Sequence, residues 1–402
     1  MKVAIIGGGA AGFFTAINIK ENYENAAVTI FEKSAKILSK VKVSGGGRCN
    51  VTNGIDSVKE LAKAYPRGEK QLRKVFGVFS NKDVIQWFES RGVALVTQTD
   101  NCVFPKSQNS QTIIDCFITE IKRLNISIAF KKGVQQITEQ NTQLKLHFTD
   151  NTSNLFDKVV VATGGSPKRK GLDWLATLGH EIKTPVPSLF TFNMPNEGIT
   201  KLMGIVVEKT MVSIQGTKLK SNGPLLITHW GMSGPAILKL SAFGARLLSE
   251  KEYQFKVQVN WIDILNTDEV KREITQIVNS NLNKQLATIK PFKLQTRLWH
   301  YLLNKIDLPL DRKWKEIGNK GINKLVNILT NDVYQAEGKT TFKEEFVTCG
   351  GVSLQDIDFK TMQSKKVKNL YFTGEVLDID GITGGFNFQA AWSTAFVAAK
   401  LK

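Results

Sequence analysis

The chain has 402 residues, 42% of them hydrophobic and 22% charged, which excludes a disordered or low-complexity protein and leaves room for two or three domains. Its 54 Lys and Arg against 36 Asp and Glu give a formal net charge of +18. Such a surplus suits polyanionic partners, nucleic acid first, or else a merely solvated basic surface. Cys49, Cys102, Cys116 and Cys349 form no C-x-x-C pair, which argues against a zinc knuckle or redox dithiol. With no apolar stretch of membrane-span length and no signal-peptide pattern, the expectation is a cytoplasmic protein without a metal.

Taken in chain order, "KVAII" (2–6) is a short apolar run ended by glycines and reads as a buried parallel strand. Residues 10–23 carry apolar positions at helical spacing, and "AAVTIFEK" (26–33) reads as a second buried strand. This is β-α-β in about thirty residues. Helical patterns follow near 57–64, 69–79 and 81–90, and residues 126–151 read as a β-meander with turns at Gly133 and Asn141. "FDKVVVATGG" (156–165) is another buried strand running into glycines. Two prolines in "TPVPSL" (184–189) mark a boundary. Beyond it, residues 190–260 alternate in short strand-like runs. From Thr267 to about Asn331 the pattern turns helical and basic, with ten Lys/Arg against three Asp/Glu between Lys284 and Lys324. Residues 368–400 return to a buried strand, a glycine-rich turn and a helix. The economical layout is one α/β domain made from 1–187 and 341–402, a β-rich insert over 188–262, and a basic helical insert over 263–340.

"GGGAAG" (7–12) places Gly7, Gly9 and Gly12 in G-x-G-x-x-G register between a strand and a helix, the context that the motif needs. Gly7 permits the tight turn, Gly9 lets backbone approach a pyrophosphate, and Gly12 allows close packing. The helix beginning at Ala10 and Ala11 offers free N–H groups and a positive dipole to the phosphates. Glu32 ends the second strand twenty residues after Gly12, the spacing of an acid that bonds ribose hydroxyls, with Lys33 beside it. The alternative is an ordinary tight βα turn. Near the C-terminus, Glu375 follows "FTG" (Phe372–Gly374) at a strand end, where a carboxylate is placed to hold a flavin's ribityl chain. Gly384 and Gly385 allow backbone to approach an isoalloxazine ring, and a helix from about Asn387 aims its positive end at the pyrimidine side. A plain core helix is the alternative reading there.

Together "GGGAAG" with Glu32, "SGGGRCNVTN" (44–53), "VVVATGG" (159–165), "THWGMSGPAIL" (228–238) and, over 348–395, "TCGGVSL", "TMQSK" and "LYFTGEVLDIDGITGGFNFQAAWSTA" resemble the BaiN-like family of bacterial NAD(P)/FAD-dependent flavoproteins, also called aminoacetone-oxidase-like. The resemblance is densest in the two flavin segments and thinnest over 260–340. It implies an α/β fold of the two-dinucleotide-binding (Rossmann-like) FAD type, with an inserted β-domain and a small helical domain. It also implies that the loop 44–53 lies along FAD. Gly45, Gly46 and Gly47 would then let backbone approach, Arg48 would meet a phosphate or the flavin, and Asn50 would bond the cofactor or hold the turn. Ala162, Thr163 and Gly164 would contact the adenine half, and Asp380 and Phe386 fall in the C-terminal flavin segment. Cys49 is left between a chemical role, with Arg48 lowering its pKa, and packing beside the cofactor. His229 is a candidate proton donor or a structural residue.

Residues 190–260 contain no second G-x-G-x-x-G after a strand, so NAD(P)H is expected to reach the flavin through a transient site. The reaction implied by the resemblance is hydride transfer from flavin N5 to an activated C=C. One version acts on a uridine of large-subunit ribosomal RNA, giving dihydrouridine, with the basic insert facing the RNA. The alternative is a small-molecule flavin reductase or oxidase acting on an enone, a steroid-like alkene or an amine.

Overall fold

The computed structural model describes residues 1–341 and 347–402. Contacts divide the chain into two compact units, one made of Met1–Ser188 with Phe342–Lys402 and the other of Leu189–Thr341.

The first unit is built on a seven-stranded sheet in the order Ile357–Asp358, Gln363–Ser364, Leu370–Phe372, Lys158–Val161, Lys2–Ile6, Ala27–Glu32, Ser127–Phe130. The last five are mutually parallel. Their centres are apolar because a parallel sheet is covered on both faces: Val3, Ala4, Ile5, Val159, Val160, Val161, Leu370 and Tyr371 are all 0% exposed. Strand order reverses at Lys2–Ile6. The chain moves to one side through Ala27–Glu32 and later returns to the other side through Lys158–Val161, which creates the crevice where doubly wound sheets bind ligands.

Helix Ala10–Asn22 packs against the C-terminal helix Phe386–Ala398. Phe14 sits 5.3 Å from Trp392 and 4.4 Å from Trp87, ring to ring. Burying side chains of this size stabilises the fold by about 2–3 kcal/mol each. The expected meander over 126–151 is corrected. Ser127–Phe130 joins the main sheet in parallel with Ala27–Glu32, and only Val134–Gln140, Gln143–Phe148 and Ser153–Phe156 form an antiparallel sheet. A short apolar run has the same alternation whichever partner it finds.

The second unit holds a seven-stranded antiparallel sheet in the order Asp332–Glu337, Gln254–Asn260, Val206–Ile214, Lys220–Thr228, Gly231–Ser233, Thr191–Asn193, Lys339–Thr340. Helix Pro235–Glu250 lies on it, within residues read from sequence as strand-like. Proline at the first helical position suits that start. Helices Thr267–Ser280, Thr296–Lys305 and Gly318–Thr330 follow. The expected split at 262/263 is not a structural boundary. Asp332–Glu337, beyond the helices, pairs along its length with Gln254–Asn260, and Val257, Val259, Leu298, Leu302 and Leu325 share one core. Among the described residues no helix is long and apolar enough to cross a membrane.

Candidate functional site

Four strand ends of the first unit converge at the crevice. Ile6 pairs with Phe31 on one side and Val161 on the other, and Val161 pairs with Phe372. The segments that leave these strands are Gly7–Gly9, Glu32–Lys33, Ala162–Gly164 and Thr373–Glu375.

The three motif glycines divide their work. A Cβ on Gly7, whose φ is +117°, would lie 2.4 Å from Ala162 O, and one on Gly12 would lie 2.0 Å from Gly7 O. Both positions are closed by packing. A Cβ on Gly9 would meet nothing within 4 Å, so the chain keeps a glycine where its own packing does not require one. Gly9 caps helix Ala10–Asn22 without a side-chain bond, and the first turn leaves the N–H groups of Ala10, Ala11 and Gly12 without intrahelical acceptors. Glu32 Oε2 accepts from Gly8 N at 2.9 Å and Oε1 from Ser34 N at 2.8 Å. The carboxylate thus tethers the glycine turn, while Lys33 is exposed.

The second glycine run breaks a helix that starts at Ser39. Ser44 is extended, and Gly45, Gly46 and Gly47 have φ of +59°, +67° and +82°, the left-handed region that costs other L-residues about 1–2 kcal/mol. A Cβ on Gly46 or Gly47 would meet nothing within 4 Å, and the same holds at Gly164. Arg48 stacks its guanidinium 4.2 Å from the Phe104 ring centroid and donates to Gly45 O at 3.2 Å and Gln108 Oε1 at 3.3 Å. The loop then meets the C-terminal turn. Asn53 Nδ2 donates to Gly384 O at 3.0 Å, Trp392 Nε1 donates to Val51 O at 2.9 Å, and Thr52 bonds Gln389. Gly385, with φ +87°, has no room for a Cβ against Thr52 O at 2.4 Å. Segments more than 330 residues apart in sequence thus form one cradle.

Among the described residues of this unit, two buried oxygens lack a hydrogen-bond partner, Asn50 Oδ1 and Thr348 Oγ1. Asn50 Oδ1 lies 2.7 Å from where a Cβ on Gly385 would stand, and Thr348 Oγ1 lies 2.6 Å from that of Gly165. Glu375 is beside the latter. Its Oε1 accepts from Thr348 N at 2.9 Å, and its Oε2 pairs with Lys40 Nζ at 2.7 Å. Thr348 opens the motif "TCGGVSL" but, like Lys40, carries no role in the sequence reading, since the chain brings each to Glu375 from a distant segment.

Several of the residues expected at the site have partners of their own within the fold. Asp380 is 0% exposed and its two oxygens are held by Arg67, with Ser188 donating at 2.6 Å; burial pushes its carboxyl up. Within the fold its carboxyl is the buried partner of Arg67 and Ser188. Asn387 spends both ends of its amide on Gly381, at 2.8 and 3.0 Å, and Phe386 packs edge-on to Tyr65 at 6.1 Å. Cys49 is 0% exposed with φ +60°, and burial pushes its thiol up to about 12. Burial and neutrality at ordinary pH favour packing over a nucleophilic role for this thiol. His229 is exposed in the second unit, edge-on to Trp230 at 4.3 Å. Among the described residues, no cluster of three or more His, Cys, Asp or Glu is placed to hold a metal.

Open glycine cradles at adjacent parallel strand ends, a helix N-terminus, and two unpaired buried oxygens fit an extended dinucleotide with hydrogen-bonding rings. The fold and cradle are those of a Rossmann-type nucleotide-binding protein. The chain matches the HI0933-like protein Rossmann domain family over residues 1–401 and belongs to that family.

Among similar proteins, the "Ribosomal RNA dihydrouridine synthase" of Haemophilus influenzae is 28% identical over 98% of this chain and 96% of its own length. The protein of the same name from Escherichia coli K12 is also 28% identical, over the same shares. The "3-dehydro-bile acid delta(4,6)-reductase" of Clostridium scindens is 24% identical over 99% of this chain and 98% of its own. In fold, the chain is similar to a 3-ketosteroid delta1-dehydrogenase from Sterolibacterium denitrificans, with a TM-score of 0.54 at 10% identity, covering 99% of this chain and 98% of that one. It is also similar to the FrdA subunit of E. coli quinol fumarate reductase, with a TM-score of 0.50 at 13% identity, covering 100% of this chain and 69% of that one.

Proposed function

We propose that this protein reduces a uridine of large-subunit ribosomal RNA to dihydrouridine, with NAD(P)H as the ultimate reductant. The observation that carries the reading is the similarity to two ribosomal RNA dihydrouridine synthases over nearly the full length of both partners. The +18 charge supports it, because neutralising phosphates is the sequence-independent part of RNA binding.

A flavin bound in the cradle supplies the hydride for reducing a C=C bond. The residues of this chain do the rest. Gly9, Gly46, Gly47 and Gly164 leave backbone accessible along the cofactor. The N–H groups of Ala10, Ala11 and Gly12 receive its phosphates. Asn50 Oδ1 and Thr348 Oγ1 gain the partners they lack, and Glu375, held by Lys40 and Thr348, orients hydroxyls. Arg48 stays stacked on Phe104 and stiffens the loop.

The second reading is reduction of a small alkene, favoured by the similarity to the bile acid reductase. Purified protein with FAD and NAD(P)H is incubated with large-subunit ribosomal RNA from a strain lacking the gene, and dihydrouridine is measured by nucleoside mass spectrometry. Stoichiometric dihydrouridine at one position is the expected result. None, with flavin visibly reduced by NAD(P)H, would move the assignment to the small alkene.

A further inference from the structure

We infer that the second unit carries a binding cleft for an unpaired nucleobase, an inference that rests on the RNA reading above. A cavity of about 500 Å³ opens between strand Gln254–Asn260, helix Gly318–Thr330 and the start of helix Thr267–Ser280. Five of its lining side chains are amides, Gln258, Asn260, Asn323, Asn327 and Asn331, and none is charged.

The amides come from a pattern in the sequence. Asparagine stands at every fourth position, 319, 323, 327 and 331; the first three share one stripe of the helix and Asn331 caps its end. Asparagine is among the weaker helix formers, and a solvated face would be served as well by Lys, Glu or Gln. Asn260 is spent on its own turn, accepting from Ile262 N at 3.2 Å and donating to Ile264 O at 2.8 Å. Asn331 donates to Asn327 Oδ1 at 3.4 Å. Gln258, Asn323 and the Asn327 amino group have no partner among the described residues. The cleft therefore offers donors and acceptors side by side.

That chemistry matches the edge of a base, which presents donor and acceptor groups in alternation, and amide side chains bond such edges in pairs. Leu265, 68% exposed at the rim, offers an apolar surface for the base's face. Neutral sugars share the hydrogen-bonding pattern, but they have no use for the cations around the cleft. Lys256 shares the strand face of Gln258, Lys271 stands one helical turn beyond Thr267, and Lys320 one turn before Asn323. All three are exposed and none has an ion-pair partner among the described residues. Asp268 and Glu269 project from other faces of their helix, one and two residues on from Thr267. Single-stranded RNA presents splayed bases and phosphates together.

The test uses the flavin-loaded protein and a fluorescent single-stranded RNA of mixed sequence, about 12 nucleotides long, beside an RNA duplex of equal length. Asn323→Ala with Asn327→Ala is expected to weaken single-strand binding about tenfold without changing its salt dependence. Lys256→Gln, Lys271→Gln and Lys320→Gln together are expected to flatten the salt dependence by up to about three ions. Unchanged single-strand affinity in the asparagine variant overturns the cleft, as does duplex binding as tight as single-strand binding. Displacement of the RNA by a maltooligosaccharide overturns the choice of a base over a sugar. Dihydrouridine formation by the same preparations separates the two claims. Wild-type yield and unchanged RNA affinity in the asparagine variant sink the cleft alone. Absence of dihydrouridine from the wild type sinks the RNA reading.

Discussion

The glycines of the two units do opposite things. In the second unit, "THWGMSGP" has the look of a ligand loop, yet a Cβ on Gly231 would lie 2.1 Å from Phe192 O and one on Gly234 would lie 2.8 Å from Pro224 O. Those glycines let strands and a helix start approach one another. In the first unit a Cβ on Gly9, Gly46, Gly47 or Gly164 would meet no atom of the described residues within 4 Å, and Gly9 and Gly164 follow adjacent parallel strands. A glycine motif in sequence does not say which kind it is. The distance to the nearest backbone does.

Substitutions can break this comparison, and the largest effect is expected where packing is tightest. Gly231→Ala meets a carbonyl oxygen at φ +150° and is expected to cost about 3 kcal/mol of stability, read as a lower urea midpoint. A midpoint equal to that of the wild type would show the contact to be soft. Gly9→Val should do the reverse. It has space in the protein and a φ of −95°, so the melting temperature without flavin should hold while flavin affinity falls at least about tenfold, about 1.4 kcal/mol. A yellow Gly9→Val protein would remove the pyrophosphate assignment. Gly46→Ala lies between them, costing about 1 kcal/mol through its positive φ alone and weakening flavin retention. Circular dichroism melts with and without added flavin separate the two parts.

The smallest effect is expected at Cys49. Cys49→Ala should keep turnover within about twofold, since a buried neutral thiol has no nucleophilic role to lose. Iodoacetamide at about pH 8 should leave Cys49 unlabelled until the chain is denatured. The pH dependence follows from the same shift. The thiol is neutral in both states below its ordinary value of 9.0, and above it the unfolded chain loses the proton first. Stability should therefore fall as pH rises from about 9 toward about 12. Cys49→Ala should flatten that decline in denaturation midpoints, and an identical decline in the variant would assign the loss to other groups.

What was legible in the sequence was local. "KVAII", "VVVA" and the G-x-G-x-x-G register announce a buried parallel sheet and its turn because period, apolarity and glycine spacing lie within about thirty residues. Partners were not legible. Asp380 looked like a cofactor acid in a flavin segment, but it is neutralised by Arg67, 313 positions away. "ISIAF" showed a strand without showing which sheet receives it. The change of texture at 262/263 looked like a border because the closing strand, Asp332–Glu337, returns only after three helices. Asn50 was marked by its motif, but that its Oδ1 is buried without a partner could come only from the packed loop.

The order of strands has a consequence for how the protein is made. Leu370–Phe372 completes the sheet beside Lys158–Val161, and helix Phe386–Ala398 covers Phe14 and supports the 51–53 segment. Both emerge from the ribosome after residues 189–341, which form a continuous unit able to collapse first. Until then the edge of Lys158–Val161 stays unpaired and the cradle lacks one wall. Cofactor capture is thus postponed to the end of translation, and a chain truncated before residue 370 would be a colourless, sticky intermediate, unable to carry out any redox chemistry.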